Sequence, residues 1–260
     1  VLPLLGLRHV AVLVLELLHV LERQAHVVHE LQELPLFGGN LLVGDLFLDE
    51  DHQRLIKARH GYVLYNRNDT VIGRSIEVYG EYFESEVHVF RQFVSAGDVA
   101  LDVGANIGTH TLALARLAGP QGFVYAFEPQ RLVFQTLCAN IALNSLTNVH
   151  CVNAAVGEEA GTLRMSDADP KQPNNFGGAQ VALLGSGQQG VPVTRVVLDD
   201  FLDVDRLKLV KIDVEGMESE VLRGAHRTLA RFKPLLYVEN AFADKSPELV
   251  AVLREMGYRS

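Results

Sequence analysis

The sequence predicts an α/β protein built on a parallel sheet with helices on both faces. Three observations predict it. From residue 98 onward short apolar runs alternate with helical runs, and strands that are apolar throughout belong to parallel sheets buried on both sides. The chain has 260 residues, 48% of them hydrophobic, and a mean hydropathy of +0.13, enough for a large core and too apolar for disorder as the main state. A glycine-containing turn directly follows the first of these strands, where open α/β sheets hold their ligands.

Residues 1–53 form the first segment. They carry two cations and eight anions, so most of the chain's net charge of −9 lies there. Val14, Leu17, Leu21, Val28 and Leu31 fall at a/d spacing. Glu16, Glu22, Arg23, His26, His29, Glu30 and Glu33 fall on the other face. The spacing predicts one amphipathic helix of about four to five turns, stopped by Pro35 and Gly38-Gly39. Such a helical extension packs against the body or against another copy, as a homodimer. Its polar face is poor in Lys and Arg, unlike that of a membrane-surface helix. An origin foreign to the domain is a further reading of this segment.

Residues 54–97 read as a lead-in. Leu55-Ile56 and Tyr62 to Tyr65 are strand-like, 66–69 is a turn, and Ile76 to Val94 is helical up to Gly97. Residues 98–260 form the body. Strands are expected at 99–103, 123–127, 149–152, 207–212 and 235–238, with helices at 111–117, 133–143, 217–229 and 247–256. Residues 166–190, rich in Gly, Pro and Asn, are expected to be a functional loop that shapes acceptor choice through Asn174, Asn175 and Phe176.

Composition excludes several functions. The chain is acidic, which disfavours nucleic acid; for residues 54–260, with 21 cations and 24 anions, the argument is the lack of a basic stripe. No apolar stretch near the start reaches the roughly 18 residues of a membrane span. The uncharged first residues do not resemble a secretory signal. Two cysteines, Cys138 and Cys151, make no disulfide framework, so a reducing, cytoplasmic setting is expected. No CxxC or His-x-x-x-His spacing suggests a metal site.

Chemistry concentrates at the strand ends. Asp102-Val103-Gly104-Ala105-Asn106-Ile107-Gly108 closes the first core strand and opens a helix. Glycines there admit a ligand to the backbone, and the helix start offers free N–H groups. A dinucleotide site reads GxGxxG, which Asn106 breaks, and Asp102 repels a pyrophosphate. The α-ammonium of S-adenosylmethionine suits an acidic residue instead. Glu128, twenty residues past Gly108, is placed to accept ribose hydroxyls, or is a dipole-stabilised acid at a helix start. Asn153 ends the third strand, either at the adenine edge or as a turn residue. Asp213 and Glu215 leave the fourth strand, either as bases for a substrate hydroxyl or as helix-capping acids. Glu239 shares their rim, and these three acids suit either a hard cation or proton transfer.

DVGANIGTHT, the FEP after the second strand, AAVG after the third, NNFGG in the long loop and KIDVEGMESEVLRGA together resemble the FkbM family of S-adenosylmethionine-dependent methyltransferases. The lead-in IKARHGYVLYNRNDTVIGRSIEVYGEYFESEV looks like that family's N-terminal portion, so the likeness runs from about residue 54 to the end. The resemblance implies a Rossmann-like class I methyltransferase sheet and methyl transfer to a hydroxyl of a sugar, polyketide or similar small molecule. It implies cofactor contacts at Asp102, Gly104, Asn106, Gly108, Glu128 and Asn153, and catalytic acids at Asp213 and Glu215. The chain begins with Val and stops just after the helix that follows the fifth strand. A truncated sheet is therefore expected, lacking its last two strands, unless another segment covers the open edge. The rival readings are a non-catalytic scaffold of the same fold and a nicotinamide-dependent oxidoreductase.

Overall fold

The computed structural model describes residues 12–16, 46–166, 168–178 and 190–259, with 12–16 and 46 described by their backbone alone. In chain order, β1 (Val12–Glu16) is followed by an antiparallel three-stranded sheet, β2 (Leu46–Asp49), β3 (Gln53–Ala58) and β4 (Gly61–Asn66). Helices α1 (Ile72–Tyr79) and α2 (Glu84–Phe93) complete the lead-in. The sequence reads 76–94 as one helix. Gly80, left-handed at φ 67°, ends α1, and α2 begins only after Phe83.

The body then alternates as expected: β5 (Val99–Val103), α3 (Thr109–Ala118), β6 (Phe123–Phe127), α4 (Arg131–Leu143) and β7 (Val149–Val152). A small sheet that the sequence hides follows, made of β8 (Ala155–Val156), β9 (Gly161–Met165) and β10 (Val191–Val196). Its strands flank the Gly- and Pro-rich loop, whose composition masks their short pattern. After it come α5 (Leu198–Phe201), β11 (Leu209–Ile212), α6 (Glu218–Gly224), α7 (His226–Phe232), β12 (Leu235–Asn240) and α8 (Ser246–Glu255). The helix expected over 217–229 is two, meeting at Ala225.

The main sheet is parallel throughout, in the order β1-β12-β11-β5-β6-β7. Strand alternation divides its side chains between two cores. Leu101, Val103, Val210, Ile212, Leu236 and Val238 pack under α5 to α8. Ala100, Val124, Leu209 and Tyr237 pack under α2 and α3. The lead-in is not separate from the body: Ile56, Val63, Tyr65, Ile72 and Ile76 share one cluster with Ile107, Leu112, Leu137 and Phe176.

The N-terminal segment departs from expectation. The predicted helix starts near Val14, but Val12–Glu16 is a strand, with Val14 opposite Val238. An unbroken apolar run meets the free backbone row of β12, so pairing prevails over helical periodicity. That edge, expected to be open, is covered by β1. The rest of the expected helix, and the dimer contact assigned to it, lie outside the described residues. Among the described residues no helix is long and apolar enough to cross a membrane.

Candidate functional site

β5 and β11 are neighbours in the sheet, yet β5 leads into α3 on one face and β11 into α6 on the other. Such a reversal opens a crevice at the carboxyl ends of the strands. A cleft of about 390 Å³ lies there. It is lined by Gly104 to Asn106 after β5, Glu128 to Gln130 after β6, and Asp213 to Glu215 after β11. Glu239 and Phe242 at β12 also line it, as do Val71, Ile72 and Tyr82 of the lead-in.

Backbone geometry builds the cradle. Gly104 sits at φ +83°, and a Cβ there would stand 1.7 Å from the Asp213 carbonyl oxygen, so only glycine fits between the two loops. Gly108 at φ +89° packs on Leu137 and caps α3; it shapes the turn and does not line the cleft. Asn106 is itself left-handed at φ 50°. Its N–H donates to Glu128 Oε2 at 2.9 Å, and its own Oδ1 accepts from the Ile107 N–H at 2.7 Å. Glu128 Oε1 accepts from the Gln130 N–H at 2.8 Å. Burial raises the Glu128 carboxyl to about 7, against the pull of those two N–H groups. Each of its oxygens keeps a lone pair for a further donor.

Two further expected contacts lie outside the cleft lining. Asp102 is fully buried; its Oδ2 accepts from Thr111 Oγ1 at 2.6 Å and its Oδ1 lies 3.3 Å from Lys211 Nζ. It stands beneath the cradle and does not line the cleft. Parallel register explains this, because Lys211 is paired with Asp102 on one side and Tyr237 on the other, so all three point to the same face. Asn153 is exposed and outside the cleft. Its amide N–H groups donate to the carbonyls of Glu128 and Pro129, at 2.8 and 3.1 Å, and so brace the strand end that carries Glu128.

Lys211 is the residue whose role sequence reasoning missed. It is 2% exposed, donates to the Gly104 carbonyl and to Asp213 Oδ2, each at 3.3 Å, and faces Asp102. Burial alone disfavours its charge, but Asp213, Asp102 and Glu86 hold it firmly protonated. A lysine among strand apolars was the available signal. Glu86 and His110, from α2 and α3, close the same region, with His110 Nε2 3.4 Å from Glu86 Oε2. Burial raises Glu86 to about 7 and drops His110 to about 4, so the imidazole is neutral. Glu86 stands four residues before the buried Phe90, a carboxylate on an apolar helix face.

The acids after β11 and β12 converge. Asp213, Glu215 and Glu239 each bring one carboxylate oxygen within 4.8 Å of the others, a spacing suited to a hard cation or a shared proton. Against the upward push of burial, Lys211 and a hydrogen bond from Glu239 hold Asp213 below its ordinary value. Burial and the Asp213 charge push Glu239 far up, so Glu239 carries the proton between them. Burial, then Asp213 and Glu218, raise Glu215 to about 7. Glu215 is left-handed at φ 54°, and Glu218 Oε1 accepts from the Gly216 N–H at 2.9 Å to hold that turn.

Residues 102–260 match the family described as the methyltransferase FkbM domain. Methyltransferase 1 of Beauveria bassiana is 31% identical over 143 residues, 48% of this chain and 57% of that protein. The 31-O-demethyl-FK506 methyltransferase FkbM of Streptomyces tacrolimicus is 29% identical over 191 residues, 62% of this chain and 73% of its own. Among solved structures, the methyltransferase FkbM of Methylobacillus flagellatus is 18% identical over 65% of this chain and 44% of that one, with a TM-score of 0.45. The chain thus spans little more than half of the first curated relative and less than half of that solved chain.

Proposed function

Because the chain belongs to the FkbM family of methyltransferases, we propose that it moves a methyl group from S-adenosylmethionine to a hydroxyl oxygen of a sugar, polyketide or similar small molecule. The observation that carries the reading is the bonding of a glycine cradle to a cluster of acids at one sheet crevice. Gly104 and the Asp213 backbone touch, and Lys211 ties both.

The residues fit the cofactor. Gly104, Ala105 and Asn106 line the cleft, and Glu128 retains acceptor capacity for the two ribose hydroxyls. When bound, the sulfonium supplies an electrophilic methyl group. Gly104, Asn106 and Glu128 hold and orient the donor; Gly108, Asp102 and Asn153 support them from behind. Glu215, raised to about 7, is poised to take the acceptor's hydroxyl proton, while Asp213, kept ionised by Lys211, orients that hydroxyl. Among the described residues lining the cleft, Lys211 is the only Lys or Arg, which supports a small acceptor over a nucleic acid. Cys138 and Cys151 are free thiols, which supports a cytoplasmic setting.

Calorimetric titration with S-adenosylhomocysteine tests the donor site, and its release from S-adenosylmethionine over a panel of hydroxylated acceptors tests transfer. A folded sample that binds neither nucleoside refutes the proposal.

A further inference from the structure

Residues 168–178, which follow β9, do not hang free. Thr70 N–H donates to the Asn174 carbonyl at 2.9 Å, and the Asn174 N–H donates to the Asn68 carbonyl at 3.0 Å. The side-chain amides of Asn66 and Asn68 both donate to the Pro170 carbonyl, at 2.8 and 3.0 Å. The loop is therefore strapped to the turn between β4 and α1. Phe176, 8% exposed, is driven into the core beside Ile72, Ile107 and Val133. Gln130 Nε2 donates to the Phe176 carbonyl at 2.8 Å, which joins the loop to the residue whose N–H also binds Glu128.

These anchors set the next turn against the cleft. Asn175 Oδ1 accepts from the N–H groups of Gly177 and Gly178, at 3.1 and 3.0 Å, and all three residues line the cleft. A Cβ on Gly177 would stand 3.3 Å from Asn106 Nδ2, so the turn lies against the Asn106–Glu128 end. Glu128 follows β6 and Glu239 ends β12, three strands apart in the sheet. At about 4.8 Å per strand that separates the two ends of the crevice by roughly 14 Å.

We propose that the turn 175–178 is the outer wall of the adenosine subsite, hung on the core by Phe176 and on the lead-in by Asn174. This rests on the S-adenosylmethionine reading of the cleft and deepens it. The loop then serves the cofactor, in place of the acceptor-selecting role expected from its sequence. The lead-in, which precedes the family match at 102, becomes part of the cofactor site through Asn66, Asn68 and Thr70.

The test uses S-adenosylhomocysteine and 5′-methylthioadenosine, which share the adenosine half and differ in the amino-acid half. Both are titrated calorimetrically into the unaltered chain, Phe176→Ala and Gly177→Val. The proposal expects each variant to weaken both ligands by the same factor, about ten-fold or more. Equal affinities in variant and parent, or a loss confined to S-adenosylhomocysteine, overturn the wall. If Phe176→Ala does not fold, Gly177→Val alone decides, since it adds bulk at the wall and leaves the anchor in place. An unaltered chain that binds neither ligand overturns the methyltransferase reading itself, a result distinct from unaffected variants of a binding parent.

Discussion

Gly104→Ala tests whether cradle and acids form one unit. The added methyl would lie 1.7 Å from the Asp213 carbonyl oxygen and 2.8 Å from its carbon. A carbon tolerates an oxygen at about 3.3 Å, so the two loops must part by roughly 1.6 Å. The left-handed backbone adds its own strain, of order 1–3 kcal/mol. Overpacking adds about 1–3 kcal/mol more. Together these lower the melting temperature by on the order of 10 °C for a domain of this size. The functional loss is larger, because a misplacement near 1 Å costs about a hundred-fold in an aligned reaction. Differential scanning fluorimetry reads the first effect and S-adenosylhomocysteine calorimetry the loosened cradle. If Gly104→Ala binds that ligand like the parent and melts within 2 °C of it (roughly half a kcal/mol at this size), the close approach of Gly104 to Asp213 is not part of the site.

Lys211→Met leaves Asp102 buried and unpaired, which costs roughly 3–5 kcal/mol; a melting curve should drop clearly, and Asp102→Asn in the same chain should recover part of the loss. Glu128 is raised to about 7, and ribose hydroxyls favour its ionised form, so affinity for S-adenosylhomocysteine should rise about ten-fold from pH 6 to pH 8. Glu128→Gln removes that rise and Glu215→Gln retains it; a flat profile in the parent refutes the ribose assignment. The same shift works on stability with the opposite sign. A carboxyl raised above its unfolded value stabilises the fold below that value, and the contribution is lost as pH climbs through 7. Burial pushes the Cys151 thiol up to about 12, and the Cys138 thiol is raised too, so iodoacetamide at pH 8 should label the unfolded chain and spare Cys151 in the native one.

The strands and the crevice were legible because apolar runs end in glycines and acids at each carboxyl end. What stayed hidden depends on register. Asp102 looks like a ligand to a cofactor ammonium until parallel pairing sets Lys211 beside it; the two are 109 positions apart in sequence. Asn153 looks like a base-edge reader, yet its strand end turns the amide onto the Glu128 and Pro129 carbonyls. Tyr82 reaches the cleft from the lead-in, outside the strand-end motifs, by way of a sharp turn at Gly80 and Phe83. Helical periodicity misread Val12–Glu16 because a free sheet edge rewards any short apolar run, whatever its longer-range spacing.

Charge explains why the site is arranged in depth. Asp102, Asp213, Glu86 and Glu239 stand near one lysine, an excess of acid over base. Lys211 breaks the symmetry. It lies next to Asp102 and keeps Asp213 ionised, while Glu239 keeps a proton and the Glu215 carboxyl is raised to about 7. One buried cation thus keeps Asp213 charged, and that charge together with burial raises Glu215 and Glu239. The same ammonium donates to the Gly104 carbonyl, so the cradle is fixed by the group that sets the charge of the acids. A donor carrying positive charge fits such a site better than a phosphate, because it lowers the remaining excess of negative charge.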